Sequence, residues 1–264
     1  MNHFEMLKTD LSKAIERNEF FLHFQPKVNL ETEKVVGVEA LIRWQHPRIG
    51  RIAPDDFIPL AEKTGEINRI GKWVLYNACK QNKKWQDDGF SPVIMSVNLS
   101  PRQLLEQDLF KIVSEVLTET GLSPRYLELE ITEGITINMP KAIRMLKQLK
   151  ELGILISLDD FGTGYNTLTY LKEFPVDIIK IDRTFVNDLL HSSKDREIVK
   201  MIITLAHNLN IRVIAEGIET EEHLRFLKQH NCNEGQGYFF SKPVLAEELI
   251  VKFGLTGQTK TIFA

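Results

Sequence analysis

Six apolar, strand-like runs in this chain end in a carboxylate or an amide, and they are the part of the sequence best suited to chemistry. The polar residues at their ends are Glu39, Asn98, Glu130, the pair Asp159–Asp160, Asp182 and Glu216. Hard divalent cations prefer carboxylate and amide oxygens, so six such ends in series predict a ring of cation ligands. Since hard cations handle phosphate groups, the pattern indicates phosphate chemistry.

Taken singly, these residues have ordinary structural explanations. Glu39 fits a solvated charge or a helix-cap partner, and Asn98 fits a cap of the helix that follows it. Ser100 is better placed for that cap, which leaves Asn98 available as a neutral oxygen ligand. Because Glu130 and Asp159 close neighbouring strands, we expect the four side chains to converge on one cation.

The adjacent acids Asp159 and Asp160 give the sharpest local signal. Two carboxylates at the end of an apolar run are costly unless something neutralises them. One carboxylate that bridges two cations, with the next serving the second cation and Glu216 completing its shell, is typical of a two-metal site for in-line phosphoryl displacement. A turn rich in Asp and Gly is the structural alternative.

Lys180 lies inside an apolar strand, one residue before its end, so its ammonium group needs an anion beside it. It either neutralises the acid ring or orients or deprotonates the attacking water. Asp182 lies two residues further on, on the same side of the strand. Gln236 stands between two glycines that admit close backbone approach, and it is expected to hold a metal-bound water or to bond the backbone.

Composition places the chain among ordinary globular proteins. It has 264 residues and a formal net charge of −3, so no basic field is available to recruit long nucleic acid. Its two cysteines have neither zinc nor C-x-x-C spacing and predict reduced, buried thiols. Without an apolar run of about 18 residues or a leader pattern, a cytoplasmic location is expected, with membrane attachment through another segment left open.

The catalytic motifs of several other enzyme classes are absent from the sequence. The seven histidines show no H-x-H or H-E-x-x-H spacing, which argues against a zinc–histidine hydrolase. The chain contains no G-x-S-x-G elbow, no Walker lysine loop and no G-x-G-x-x-G turn. Serine hydrolases, NTPases and simple dinucleotide-binding folds are therefore disfavoured.

Strand-like and helix-like segments alternate along the chain. We predict strands at 20–26, 34–42, 93–98, 126–131, 154–159, 177–181, 211–216 and 235–240, and helices at 6–18, 55–64, 70–85, 101–120, 140–152, 194–210, 220–230 and 245–253. About eight strands without a domain break predict an α/β fold with a closed (β/α)8 barrel, whose opening hairpin makes one strand near the N-terminus antiparallel. An open doubly wound sheet is the alternative. We expect one domain over residues 1–253 and a flexible tail over 254–264.

In their order and spacing, the motifs of this chain resemble those of the EAL-domain family, the bacterial cyclic di-GMP phosphodiesterases. The motifs are FQP at 24–26, EALIRW at 39–44, NLS at 98–100, ELEITE at 128–133, DDFGTGY at 159–165, IKIDRTFV at 179–186, IAEGIET at 214–220 and GQGYFFSKP at 235–243. The resemblance implies a modified TIM barrel that hydrolyses cyclic di-GMP to linear 5′-pGpG with two Mg²⁺ or Mn²⁺ ions per site.

The resemblance also implies individual roles. The implied metal ligands are Glu39, Asn98, Glu130, Asp159, Asp160 and Glu216. The implied catalytic residues are Lys180, which assists the nucleophilic water, together with Glu39, Asp159 and Glu133, the glutamate that holds the DDFG loop in its active position. With these we group the substrate-binding residues Gln25, Arg43, Asp182 and Gln236.

Departures from the family pattern are small, because none removes a ligand or the lysine. The loop reads GYNTL where GYSSL is common, so Asn166 and Thr167 are expected to alter loop dynamics or dimer coupling. The resemblance further implies a homodimer and a longer parent protein with sensor or diguanylate cyclase domains. Two other functions stay open, a non-catalytic cyclic di-GMP receptor and a protein-interaction module.

Overall fold

The computed structural model describes residues 3–106, 108–132, 138–163 and 171–253. Within these ranges, strands β1 to β9 are Phe20–Asn29, Val35–His46, Gly50–Ile52, Ile94–Leu99, Leu127–Thr132, Leu155–Phe161, Ile178–Ile181, Arg212–Ala215 and Glu234–Gly235. The α-helices are His3–Leu11, Pro54–Thr64, Ile67–Asp87, Pro101–Leu104, Leu109–Thr120, Met139–Glu151, Arg183–Asn187, Ser193–Asn208, Glu221–Gln229 and Ala246–Phe253. No helix in the described part of the chain combines the length and apolarity needed to cross a membrane.

Eight of the described strands close into a barrel. Strands β2, β4, β5, β6, β7, β8 and β9 follow one another as parallel neighbours, and β1 closes the ring between β9 and β2. Strand β1 is antiparallel to both of its neighbours. The predicted barrel with one antiparallel strand near the N-terminus is therefore confirmed. Strand β3, which was not predicted, pairs with β2 outside the ring.

The prediction that Pro26 ends the first strand is wrong, because β1 continues to Asn29. The Phe24 N–H donates to the Val244 carbonyl at 2.7 Å, on the side of β1 that faces away from β2. Alternate residues of a strand point their N–H groups to the same side, so the absent N–H of Pro26 costs no bond to β2. The strand can therefore carry Lys27 into the barrel.

Strand β2 also runs further than predicted, from Val35 to His46, so Glu39 lies within the strand rather than at its end. Its parallel pairing with β4 covers only Gly37 to Ala40. Beyond Ala40, the strand pairs with β1 and β3. Glu39 still reaches the rim of the barrel, because the parallel ladder ends one residue after it.

The interior of the barrel is polar, whereas barrels of this architecture are usually filled by branched apolar side chains. Every second residue of a strand points to the same side. The residues that pack outward against the helices are apolar and buried, as at Met95, Leu127, Ile156 and Ile179. The alternate residues point inward and are at most 1% exposed; they are Lys27, Ser96, Glu128, Glu130, Ser157 and Lys180. The fold must therefore balance charges inside its ring.

Two helix predictions need correction. The first helix ends at Leu11 rather than near residue 18. The helix predicted over 101–120 is divided into Pro101–Leu104 and Leu109–Thr120. The shorter of these is held by a capping box in which Ser100 and Gln103 exchange side-chain and backbone hydrogen bonds, so the cap predicted at Ser100 is confirmed. That cap leaves Asn98 outside the helix terminus.

Candidate active site

Lys180 lies at the centre of a cluster of carboxylates. It is 1% exposed. Its Nζ lies 2.7 Å from Glu130 Oε2, 2.8 Å from Glu216 Oε1 and 3.1 Å from Asp159 Oδ2. The three acids come from β5, from β6 and from the residue after β8, so the barrel itself assembles them around one ammonium group.

The charge state of Lys180 limits what it can do. Burial by itself would lower its pKa, but the charges of Asp159, Glu130 and Glu216 outweigh burial and raise the pKa well above its ordinary value. In this arrangement the ammonium group keeps its proton at neutral pH. In this state Lys180 is suited to neutralise the acids and to donate a hydrogen bond that orients a water molecule.

Asp159, Asp160 and Glu216 form a group in the described ranges that suits a cation. Each offers a carboxylate oxygen, and these oxygens lie within 4.8 Å of one another. Asp160 adopts a left-handed backbone conformation with φ of 55°, which aspartate tolerates better than most residues. The pairing of β6 with β7 shifts between Leu158 and Phe161. This irregularity allows two adjacent acids to face the same site.

These acids are crowded in a region with too little positive charge. Burial, followed by neighbouring carboxylates, raises the pKa of Glu216 to about 8 and that of Asp159 to about 6, although Lys180 opposes both shifts. Burial also raises the pKa of Glu39 and of Asp160. A divalent cation would relieve this repulsion, so an oxygen-only set of this kind fits a hard cation.

Two amides hold the carboxylate of Glu39. Asn98 Nδ2 donates to Glu39 Oε1 at 2.7 Å, and Gln236 Nε2 donates to Glu39 Oε2 at 2.6 Å. Gln236 Nε2 also donates to Gln25 Oε1 at 3.0 Å, and Gln25 Nε2 donates to the Ser241 carbonyl at 3.0 Å. Among the described residues, the buried Oε1 of Gln236 has no hydrogen-bond partner. A water molecule at the site would satisfy this acceptor.

Gly237 is needed to place Gln236 in the ring. A Cβ at position 237 would lie 2.1 Å from the carbonyl oxygen of Ile218. The Ile218 N–H donates to the Gln236 carbonyl at 3.1 Å, and the Phe239 N–H donates to the Ile218 carbonyl at 2.9 Å. This close backbone approach agrees with the prediction made from the two glycines beside Gln236.

Arg43 lies on β2 at the edge of the ring. Its side chain is half-buried, and Nη1 donates to the Ile42 carbonyl at 2.9 Å. Together with Asn98 and Thr132, it lines a cavity of about 470 Å³. The guanidinium group therefore stands beside a space into which a ligand could extend from the carboxylates.

Asp182 has a structural task that the sequence did not predict. Its Oδ1 accepts a hydrogen bond from the Thr184 N–H at 2.9 Å and caps the short helix Arg183–Asn187. Its carboxylate also interacts with Asp160 and contributes to the raised pKa of that residue. Three residues singled out in the sequence lie outside the described residues, namely Glu133, Asn166 and Thr167.

A second buried lysine, Lys27, was not predicted from the sequence. Lys27 is 1% exposed, and its Nζ lies 2.6 Å from Glu130 Oε1, 2.6 Å from Ser96 Oγ and 3.0 Å from Glu128 Oε1. Burial would raise the pKa of Glu130, but the charges of Lys180 and Lys27 outweigh it and hold the pKa at about 2. Lys27 follows Gln25 by two residues, so both side chains lie on the same face of β1. Because the strand was predicted to end at Pro26, this relation was not recognised.

The fold and this ring define a closed barrel with an acidic site, suited to cations, at the C-terminal ends of its parallel strands. The model of the EAL domain family matches residues 8–243, so the chain belongs to the EAL-domain family. A curated relative is the bifunctional diguanylate cyclase/cyclic di-GMP phosphodiesterase MucR of Pseudomonas aeruginosa, 45% identical over 242 residues that cover 91% of this chain and 35% of that protein. Another is the cyclic di-GMP phosphodiesterase PdeR of Escherichia coli, 40% identical over 241 residues, 91% of this chain and 36% of that protein. The chain thus spans about a third of the length of these relatives.

Solved structures show the same architecture. The PaMucR phosphodiesterase in complex with c-di-GMP superposes with a TM-score of 0.89 at 44% identity and covers 92% of this chain and 99% of that one. The FimX EAL domain of Pseudomonas aeruginosa bound to c-di-GMP superposes with a TM-score of 0.83 at 27% identity. The match covers 92% of this chain and 97% of that one. These likenesses confirm the modified barrel expected from the motifs.

Because Lys27 and Lys180 share the carboxylate of Glu130, we expect its replacement to destabilise the protein strongly. In Glu130→Gln, the amide presents an NH2 group toward one of two buried ammonium groups and removes the charge that both require. We expect the free energy of unfolding to fall by about 3–5 kcal/mol, the cost of breaking a buried ion pair. Urea denaturation measures this change, with Glu31→Gln on an exposed turn as the control. A loss below about 1 kcal/mol would contradict this role for Glu130.

The raised pKa values predict how the metal-free protein responds to pH. A carboxyl group with a higher pKa in the folded state binds more protons when folded, so the free energy of unfolding falls as pH rises between the two pKa values. For Glu216 this window runs from 4.5 to about 8, and for Asp159 from 3.8 to about 6. Within its window, each of these groups lowers the free energy of unfolding by up to about 1.4 kcal/mol per pH unit.

We therefore expect the Tm of chelator-treated protein to fall between about pH 5 and about pH 8. Mn²⁺ should raise the Tm more at the higher pH, where it does not compete with protons for the carboxylates. Glu216→Gln is the matched variant, and its Tm should fall less over the same range. Thermal melts that show an equal Mn²⁺ effect at both pH values would contradict the prediction.

Proposed function

We propose that this chain is a metal-dependent phosphodiesterase that hydrolyses cyclic di-GMP to linear 5′-pGpG. The observation that carries the proposal is the ring around Lys180, whose ammonium group has carboxylate oxygens of Glu130, Asp159 and Glu216 within 3.1 Å. The substrate is supported by the names of relatives such as MucR and PdeR, and by a similar solved structure in complex with c-di-GMP.

Two divalent cations, Mg²⁺ or Mn²⁺, belong to the proposed site. Their proposed ligands are Glu39, Asn98, Glu130, Asp159, Asp160 and Glu216. When bound, such ions polarise phosphoryl oxygens and lower the pKa of water. The crowding that raises the pKa values of Glu216 and Asp159 supports this assignment, as does the unpartnered oxygen of Gln236 among the described residues.

The proposed reaction is in-line hydrolysis, in which a water oxygen bonds to phosphorus while the bond from phosphorus to the 3′ oxygen breaks. The water gives up one proton, and the departing 3′ oxygen takes up one to become a hydroxyl group. Lys180 orients the water by donating a hydrogen bond, consistent with its retained proton. Glu130 stays ionised because its pKa is held at about 2. Gln236 and Glu39 are linked by a 2.6 Å hydrogen bond that fixes both side chains at the rim.

Other chain residues bind and position the substrate in this proposal. Arg43 donates to a phosphate from the edge of its cavity, in the paired geometry that guanidinium groups favour. Gln25 and Gln236, which are hydrogen-bonded to each other, contact the substrate beside Glu39. Asp182 contacts the substrate from its position next to Asp160. Glu133 is proposed to hold the DDFG loop in its active position.

The proposal for the whole protein is broader than this chain. We propose a cytoplasmic homodimer within a longer parent protein that carries sensor or diguanylate cyclase domains. The support is that the chain spans about a third of the curated relatives, one of which is named as a bifunctional diguanylate cyclase and phosphodiesterase. Long nucleic acid is not a proposed partner, because the net charge of −3 offers no attraction for it.

A chromatographic assay for 5′-pGpG tests the proposed activity. With Mg²⁺ or Mn²⁺ the protein should release product, and excess chelator should abolish this release. Glu39→Ala should lower kcat/KM by at least about 100-fold, the upper range for residues that merely support metal ligands. Glu31→Ala, an exposed glutamate in the turn after β1, should leave the activity unchanged.

Three results of this assay, read together with a binding measurement on cyclic di-GMP, would contradict the proposal. Undiminished cleavage by Glu39→Ala would remove Glu39 from the ligand set. Stable binding of cyclic di-GMP without product, even with Mn²⁺, would indicate a receptor. Neither binding nor cleavage would indicate an interaction module.

A further inference from the structure

We propose that Lys27 positions the metal ligand Glu130 from a buried polar layer beneath the catalytic ring. This layer, which we call the floor, consists of Lys27, Ser96 and Glu128, all at most 1% exposed. The inference rests on the proposed function in taking Glu130 as a cation ligand. Lys27 acts on the site through Glu130. Its hydrogen bonds do not include Asp159 or Glu216, the other carboxylate partners of Lys180.

The floor uses the full hydrogen-bonding capacity of Lys27. An ammonium group has three N–H donors. The Nζ of Lys27 has three acceptors, at 2.6 Å in Ser96, 3.0 Å in Glu128 and 2.6 Å in Glu130. Because these three acceptors account for its donors, Lys27 acts on the ring through the Glu130 carboxylate.

Lys27 and Lys180 fix the two oxygens of Glu130 separately. Lys27 Nζ lies 2.6 Å from Oε1, and Lys180 Nζ lies 2.7 Å from Oε2. A carboxylate held at both oxygens cannot rotate about its terminal bond without breaking an ion pair. If Lys27 were absent, Oε1 would be buried without its donor, and the carboxylate would be free to turn toward Lys180.

Glu128 gives Lys27 a second counter-charge besides Glu130. Its Oε1 lies 3.0 Å from Lys27 Nζ, and both side chains are 1% exposed. Lys27 and Glu128 therefore form a pair whose removal leaves the net charge of the interior unchanged. Replacing such a buried pair with apolar residues of similar size is often neutral for stability or stabilising. This allows the positioning role to be separated from charge balance.

The test compares Lys27→Met/Glu128→Leu with the control Glu128→Leu, which retains the contact of Lys27 with Glu130. Calorimetric titration with Mn²⁺ is the main readout, because it does not depend on activity. We expect the control to bind Mn²⁺ within about threefold of the natural chain. The double variant should bind at least about tenfold more weakly, as when support of a metal ligand is lost. In the assay for 5′-pGpG, its kcat should fall while KM stays within about threefold.

Equal Mn²⁺ affinities in the double variant and the control would overturn the proposal, because Lys27 would then serve only charge balance. Failure of the double variant to fold would also overturn it, since a positioning role predicts that the apolar pair keeps the fold. If the natural chain binds Mn²⁺ but releases no product, the proposed function fails while the comparison of affinities still decides the role of Lys27. If the natural chain binds no Mn²⁺, both proposals fail.

Discussion

The carboxylate of Glu130 accepts hydrogen bonds from two buried ammonium groups, and the arrangement of the site depends on this shared interaction. Lys27 lies on one side at 2.6 Å and Lys180 on the other at 2.7 Å. In a low-dielectric interior, neither lysine could stay charged without a carboxylate, and Glu130 could not stay ionised without a lysine. The polar interior of this barrel is thus a network in which each charge requires its neighbour.

Charge balance in this network also explains why the rim of the barrel suits cations. The two lysines face a larger number of carboxylates, which include those of Glu39, Glu128, Glu130, Asp159, Asp160 and Glu216. Divalent cations would relieve this excess of carboxylates. The pKa of Glu130, which lies between the two lysines, is held at about 2, whereas burial and the charges of Asp159 and Glu39 raise the pKa of Glu216 to about 8. This difference in pKa favours cation binding near Glu216, at the open end of the barrel. At the floor, Lys27 and Glu128 balance each other's charge.

Much of this arrangement was readable in the sequence, because it depends on local periodicity. Parallel strands bring their C-terminal ends to one edge, so Glu130, Asp159 and Glu216 were expected to meet. The position of Glu39 within a longer strand was not readable, because the extension of β2 is stabilised by pairing with β1 and β3, which is a tertiary effect. The left-handed backbone at Asp160 was likewise expected only as a turn.

Lys27 was missed for a specific physical reason. Proline usually ends a strand because it lacks an N–H, and the rule was applied at Pro26. It fails there because the missing donor would point away from β2, toward the side where Phe24 bonds to Val244. Only the sheet register, which follows from closure of the barrel, reveals which side of the strand a given N–H faces. Residues whose roles depend on closure are therefore the hardest to predict from sequence.

Anomalous diffraction from a crystal of the protein grown with Mn²⁺ would show where cations bind and whether Glu130 keeps both lysines. We expect strong manganese peaks among the carboxylates of Asp159, Asp160 and Glu216, with Glu130 still in contact with both lysines. A crystal with Mn²⁺ bound only elsewhere, or with Glu130 separated from Lys27 when the site is filled, would contradict it.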